Sequence, residues 1–205
     1  MTHQRRILVA TGGHAFNADA FSDLLASLDG FACSQAEQPA VRREFVGDRP
    51  ADWDAFLMYD MPGYEFHPDH SPPTLFDPPE DFRRNFLALV ERGHGFVFLH
   101  HALASWPTWE DYTSVIGGRF RFVRDGDNPD SGYRHAVAQR ITPVALGHPV
   151  LAGLDGGFGT GLALGAFTGS GSSDIGSDVT IPCRALASLK SWLRLRRMPG
   201  PKEML

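Results

Sequence analysis

A chain of 205 residues with 42% hydrophobic and 21% charged side chains can bury one sizeable core and does not need a second. Its formal charge of -5 and pI near 6.0 leave no broad basic field for phosphate backbones, which sets nucleic acid aside as a partner. No apolar run approaches the roughly 20 residues that span a bilayer, and the first residues lead directly into a strand pattern, so the reading is a cytoplasmic protein with no membrane partner.

In chain order, Arg6 to Thr11 is a β-branched and apolar run that feeds a Gly12-Gly13-His14 turn. Asn17 can cap a helix over 18 to 29, whose Phe21, Leu24, Leu25 and Leu28 recur at helical spacing before Gly30. The turn has neither the G-x-G-x-x-G of a dinucleotide site nor the Lys and Ser/Thr of a P-loop. Residues 31 to 50 are polar, with an edge strand expected near Val41 to Val46. Ala55 to Tyr59 reads as a buried strand ending at Asp60. Asp77-Pro78-Pro79-Glu80 has the form of a capping box, so a helix with Phe82, Phe86, Leu89 and Val90 on its inner face should follow and stop at Gly93.

Next comes Phe96-Val97-Phe98-Leu99, an apolar run expected to be buried on both faces, which delivers His100 and His101 where the strand should end. Thr108 can cap a short helix closed by Gly117-Gly118, Arg119 to Val123 alternates as a strand would, and Tyr133 to Val144 reads as one extended segment. His148 to Leu154 reads as a turn into a short helix. Alternation of strands and helices predicts an α/β layered domain with a mostly parallel sheet over residues 1–155. Residues 156–205 differ in composition, first rich in Gly, Ser and Thr and then basic, and read as an atypical tail: a linker, then a helix carrying Leu186, Leu189, Trp192 and Leu193.

Six short motifs, Thr11-Gly12-Gly13-His14, Tyr59-Asp60-Met61-Pro62-Gly63, Leu99 through Pro107, Gly117-Gly118-Arg119-Phe120, Ser131-Gly132-Tyr133-Arg134-His135 and His148-Pro149-Val150, occur in an order that resembles the ThuA-like trehalose-utilization family. The resemblance implies a flavodoxin-like three-layer fold of the class I glutamine amidotransferase type and a role in carbohydrate metabolism, with a trehalose-type disaccharide or keto-sugar as small-molecule ligand. It stops near Phe158, where the family's acidic and aromatic Asp-Glu-x-Tyr segment is replaced by Gly159-Thr160-Gly161-Leu162-Ala163-Leu164.

Amidotransferase chemistry needs a cysteine on the sharp turn after a central strand, where backbone donors and a histidine activate it. Here that turn carries His100, and Cys33 and Cys183 lie elsewhere without disulfide or zinc spacing, so glutaminase activity is not expected. Ser105 lacks the G-x-S-x-G setting of a nucleophile. The better candidates are His100, His101 and Asp60 as catalytic groups at strand carboxyl ends, with His14, Trp106, Tyr133 and His135 contacting substrate. Trp106, Trp109 and Tyr112 could stack on sugar rings, although aromatics at helical spacing also build cores. Neutral imidazoles at that edge can also hold a divalent metal, whose identity the sequence leaves unknown. Strand alternation sends one of His100 and His101 into the crevice and the other into the packing. Two classes stay open, a sugar-processing enzyme using acid/base or metal-assisted chemistry, and a catalytically silent sugar- or partner-binding module; homo-oligomer formation is open with either.

Overall fold

A computed structural model describes residues 4–69, 71–124, 126–134, 137–142, 158–163 and 166–168, and they form an α/β fold. Four strands, β1 (Arg5–Thr11), β2 (Phe31–Glu37), β3 (Ala55–Met58) and β6 (Gly95–Phe98), make a parallel sheet in the order β2-β1-β3-β6. β1 is central because its side chains can be buried on both faces. Leu8 and Ala10 pack with Phe56, Met58, Phe82, Phe86 and Trp106, whereas Ile7 and Val9 pack with Phe21, Leu25 and Leu57. The two faces follow the period of 2 along the strand and define three layers. Helix α1 (Ala18–Ala26) covers one face; α2 (Glu80–Glu91), α3 (Glu110–Ile116) and a 3₁₀ turn over Ala40–Phe45 cover the other.

Asn17 caps α1 by accepting from the Ala20 N–H at 3.0 Å, but the helix ends at Ala26 and leaves Leu24 half exposed. In α2 the four expected apolar residues are all buried. Its capping box does not form: Asp77 instead accepts from the Thr108 hydroxyl at 2.6 Å, which also takes Thr108 away from the start of α3. Glu80 and Asp81 stand in the first turn of α2, where the exposed N–H groups favour negative charge.

Other expectations are corrected. The strand near 41–46 is the 3₁₀ turn, whose Val41 and Phe45 are buried, and the strand lies earlier, at β2. The polar composition of β2 fits its place at the sheet edge, where one flank meets only β1. β6 is not buried on both faces: among the described residues it pairs with β3 alone, and Val97 is 49% exposed. Residues 119–123 form no strand; Phe120 is pinned by its N–H to Leu103 O at 2.8 Å, and the Arg119 guanidinium bonds Pro107 O, Thr113 Oγ1 and Glu110.

Two short strands, β4 (Tyr64–Glu65) and β5 (Thr74–Leu75), form an antiparallel pair between β3 and α2. The expected extended segment at 133–144 is divided into β7 (Gly132–Arg134) and β8 (Val137–Ile141). These pair antiparallel with β10 (Ala166–Thr168) and β9 (Phe158–Ala163) respectively, so strand pairing crosses the composition change at 155 and occupies part of the segment read as a linker. The expected elements at 148–154 and 186–193 lie outside the described residues. No helix among the described residues is long and apolar enough to cross a membrane.

Candidate functional site

The strand order reverses at β1, which has β2 on one side and β3 on the other. In parallel α/β sheets ligands bind outside the carboxyl ends of strands at such a point, because the connections diverge and leave a crevice. The loops leaving β1, β3 and β6 carry His14, Tyr59-Asp60 and His100-His101 to this edge. A cleft of about 260 Å³ lined by Arg6, Ala51, Asp52, Trp53 and Asp54 lies at the opposite, amino end, and its charges pair within it as Arg6–Asp52.

Backbone contact brings the first two loops together. Met61 N–H donates to Gly12 O at 2.8 Å, and a Cβ placed on Gly13 would stand 2.4 Å from Met61 O. Gly13, at φ +83°, is therefore required twice, by its conformation and by the space. This approach carries His14 to the end of β3, where its Nε2 lies 2.7 Å from Tyr59 O and its Nδ1 lies 3.2 Å from Ala15 O. A carbonyl only accepts, so a ring N–H is the donor in each contact that is a hydrogen bond, and the Nε2 contact is the shorter.

The third loop completes a histidine stack. The His101 ring lies parallel to His14, 3.7 Å between centroids and 11° between planes. His100 meets His101 edge-on at 4.4 Å, and Tyr59 presents its ring edge-on to His14 at 4.7 Å. Alternation does not separate His100 from His101, because β6 ends at Phe98 and both lie in a 3₁₀ turn, His100–Ala104. His100 is exposed and His101 half-buried, so neither is a core residue. His100 also has φ +38°, a left-handed conformation that is unfavourable for a residue with a Cβ and typical of strain held at functional turns.

Loss of water lowers the proton affinity of both rings, and the neighbouring imidazoles add to it. His101 is pushed down to about 4, by desolvation first and then by His14 and His100; His100 is lowered by desolvation and then by His14. Both are neutral at physiological pH.

Asp60 is fully buried, and its side chain is held by Gln38 from the loop after β2. Its Oδ2 accepts from Gln38 Nε2 at 2.7 Å, and Gln38 Oε1 accepts from Arg42 Nε at 2.9 Å. Its Oδ1 meets no hydrogen-bond donor among the described residues. Burial raises the carboxyl to about 6, against the smaller lowering effects of Gln38, its own backbone, His14 and Arg42. Gln38 and Arg42 had no signal in the sequence, where they lie in a polar stretch beside an edge strand.

Trp106 is corrected as a substrate contact. It is 0% exposed and packs against Phe82 and under Arg42, with Trp109 and Tyr112 buried beside it, so none offers a ring face to a sugar. Ser105 is also committed, donating to Asp60 O at 2.6 Å. Tyr133 lies on β7 opposite Phe167, and His135 lies outside the described residues. Cys33 sits midway along β2, opposite Ile7, and far from a strand end.

For a metal, no group of three His, Cys, Asp or Glu side chains gathers among the described residues. The geometry explains this: ring nitrogens of stacked imidazoles point along parallel planes and do not converge, and Asp60 points to Gln38. No family model, curated protein or solved structure matches the chain.

Proposed function

We propose that this chain is a ThuA-like, sugar-processing protein on a flavodoxin-like, class I glutamine amidotransferase-type scaffold, acting on a disaccharide or keto-sugar by acid/base chemistry at the histidine stack. The observation that carries the reading is the convergence of His14, His100 and His101 from two strand ends at the reversal of strand order, with His100 held at φ +38°. The parallel order β2-β1-β3-β6 supports the scaffold, being the beginning of the flavodoxin-like arrangement. His100, exposed and neutral, takes a proton from a sugar hydroxyl, while His101 orients the neighbouring oxygen. Glutamine hydrolysis is not part of the proposal, since His100 occupies the turn that a cysteine nucleophile would need.

The silent-module reading keeps one specific support: both His14 ring nitrogens face carbonyl oxygens, which is how a histidine that ties loops together is used. Thermal-shift titration with disaccharides and keto-sugars, followed by chromatography for product, separates the two. The enzyme reading expects a ligand-dependent shift and product, both lost in His100→Ala. A shift without product leaves the sugar-binding module, and no shift with either sugar class removes both sugar readings and leaves a partner-binding module.

His100→Gly provides a second expected outcome. Glycine adopts φ +38° without a Cβ penalty, so the variant should gain about 1 kcal/mol in denaturant unfolding while losing sugar-dependent effects. Unchanged or lower stability would mean that the turn is not strained.

A further inference from the structure

Asp60 is tied to three loops at once. Its side chain is held from the β2 loop by Gln38. The carbonyl that precedes it, Tyr59 O, contacts His14 Nε2 from the β1 loop, and its own carbonyl accepts from Ser105, which ends the turn carrying His100 and His101. The residue thus sits on the backbone that positions both members of the stack. One further feature of the carboxyl is that its Oδ1 is buried with no donor among the described residues. A proton on Oδ1 leaves a neutral group with Oδ2 satisfied by Gln38, whereas ionisation leaves a buried charge with one oxygen unsolvated.

We propose that Asp60 is a tie-point through which proton release inside the core rearranges the histidine stack, with Gln38 and Arg42 as the positioning residues that govern it. The charged and titratable groups that face Asp60 support this. Arg42, from the 3₁₀ turn, is the near cation, but it is held off by Gln38 and rests over the Trp106 ring at 5.2 Å, while Asp81 of α2 competes for it. His14 faces it from the β1 loop, and Tyr112, from α3, stays a neutral phenol because burial and Asp60 raise it well above its ordinary range. When Asp60 ionises, either Gln38 and Arg42 swing toward Oδ1 or the Tyr59-Asp60 backbone moves. The backbone movement relocates the carbonyl that His14 holds, and with it the ring on which His101 stacks.

The coupling itself is measured without ligand; its consequence for sugar binding rests on the reading of the stack as the functional site. In the full-length chain, carboxyl ¹³C resonances of Asp and ring-proton resonances of His101 are followed against pH. Asp60→Asn identifies the Asp60 carbon, and His101→Gln identifies the His101 protons. The expected result is an inflection of His101 that coincides with that of the Asp60 carboxyl and disappears in Asp60→Asn, while other histidine titrations persist. In Gln38→Leu, which removes the side-chain hydrogen bond to the carboxylate, both inflections should move upward together by about one pH unit. A His101 inflection that survives in Asp60→Asn overturns the proposal, and so does movement of the Asp60 inflection in Gln38→Leu with that of His101 left in place. Coupling in a protein that no sugar shifts would sink the functional reading and leave the tie-point standing; sugar binding with no coupling would do the reverse.

Discussion

Replacing Gly13 with alanine is expected to cost about 3 kcal/mol or more, a large loss for an exposed turn position. Two costs combine there. At φ +83° an L-residue gives up roughly 1–2 kcal/mol. The added Cβ would also stand 2.4 Å from Met61 O and 2.7 Å from Met61 C, so the backbone of one loop must move. Gly30 provides the control, because its φ of +84° is nearly the same but a Cβ there meets nothing within 4 Å. Gly30→Ala should therefore show the conformational cost alone, about 1 kcal/mol. Urea unfolding of both variants reads the difference; equal losses would mean that the contact between the β1 and β3 loops relaxes easily. Because the same contact carries His14 to Tyr59 O, Gly13→Ala should also disperse the ring-current shifts of His14 and His101.

What the sequence made legible follows from where burial is two-sided. β1, β3 and the inner face of α2 stand out because the core admits only apolar residues there, and their spacing reports the element directly. β2 is hidden for the opposite reason: an edge strand with Cys33, Ser34, Gln35 and Glu37 needs no apolar pattern, whereas Val41 and Phe45, buried from a 3₁₀ turn, imitate one. The histidines were legible as strand-end groups. Their stacking was not, since it depends on a left-handed turn at His100, a conformation that histidine takes more often than most residues but still in a minority of places. Asp60 was legible as a carboxylate at a strand end, but its direction was set by a one-residue alternation that sent Tyr59 toward Phe21 and the carboxyl toward Gln38. The aromatic Trp106, Trp109 and Tyr112 have a spacing common to sugar platforms and cores, and burial decides for the core. The pairing of β9 and β10 with β8 and β7 was obscured by Gly- and Thr-rich strands with little periodicity.

Asp60 should also make the protein less stable as pH rises. Burial pushes its carboxyl up to about 6 from an ordinary 3.8, so between these values the folded state binds more protons than the unfolded one. The contribution is therefore fully present below about pH 4 and lost by the time pH passes 6, the reverse of an ion-paired carboxylate. The size of the loss is about 3 kcal/mol, and no discount for solvent is needed because the side chain is 0% exposed. Asp60→Asn isolates this term: the amide introduces a constant offset from its own buried N–H groups, but it does not titrate. The stability of the variant relative to the parent, from urea unfolding at a series of pH values, should rise by about 2 kcal/mol from pH 4 to pH 7. A flat difference would mean that the carboxyl binds its proton equally well folded and unfolded, with hydration or Arg42 just offsetting the cost of burial. A difference that falls with pH would mean that the ionised form is the favoured one, and that Gln38 and Arg42 together outweigh the cost of burial.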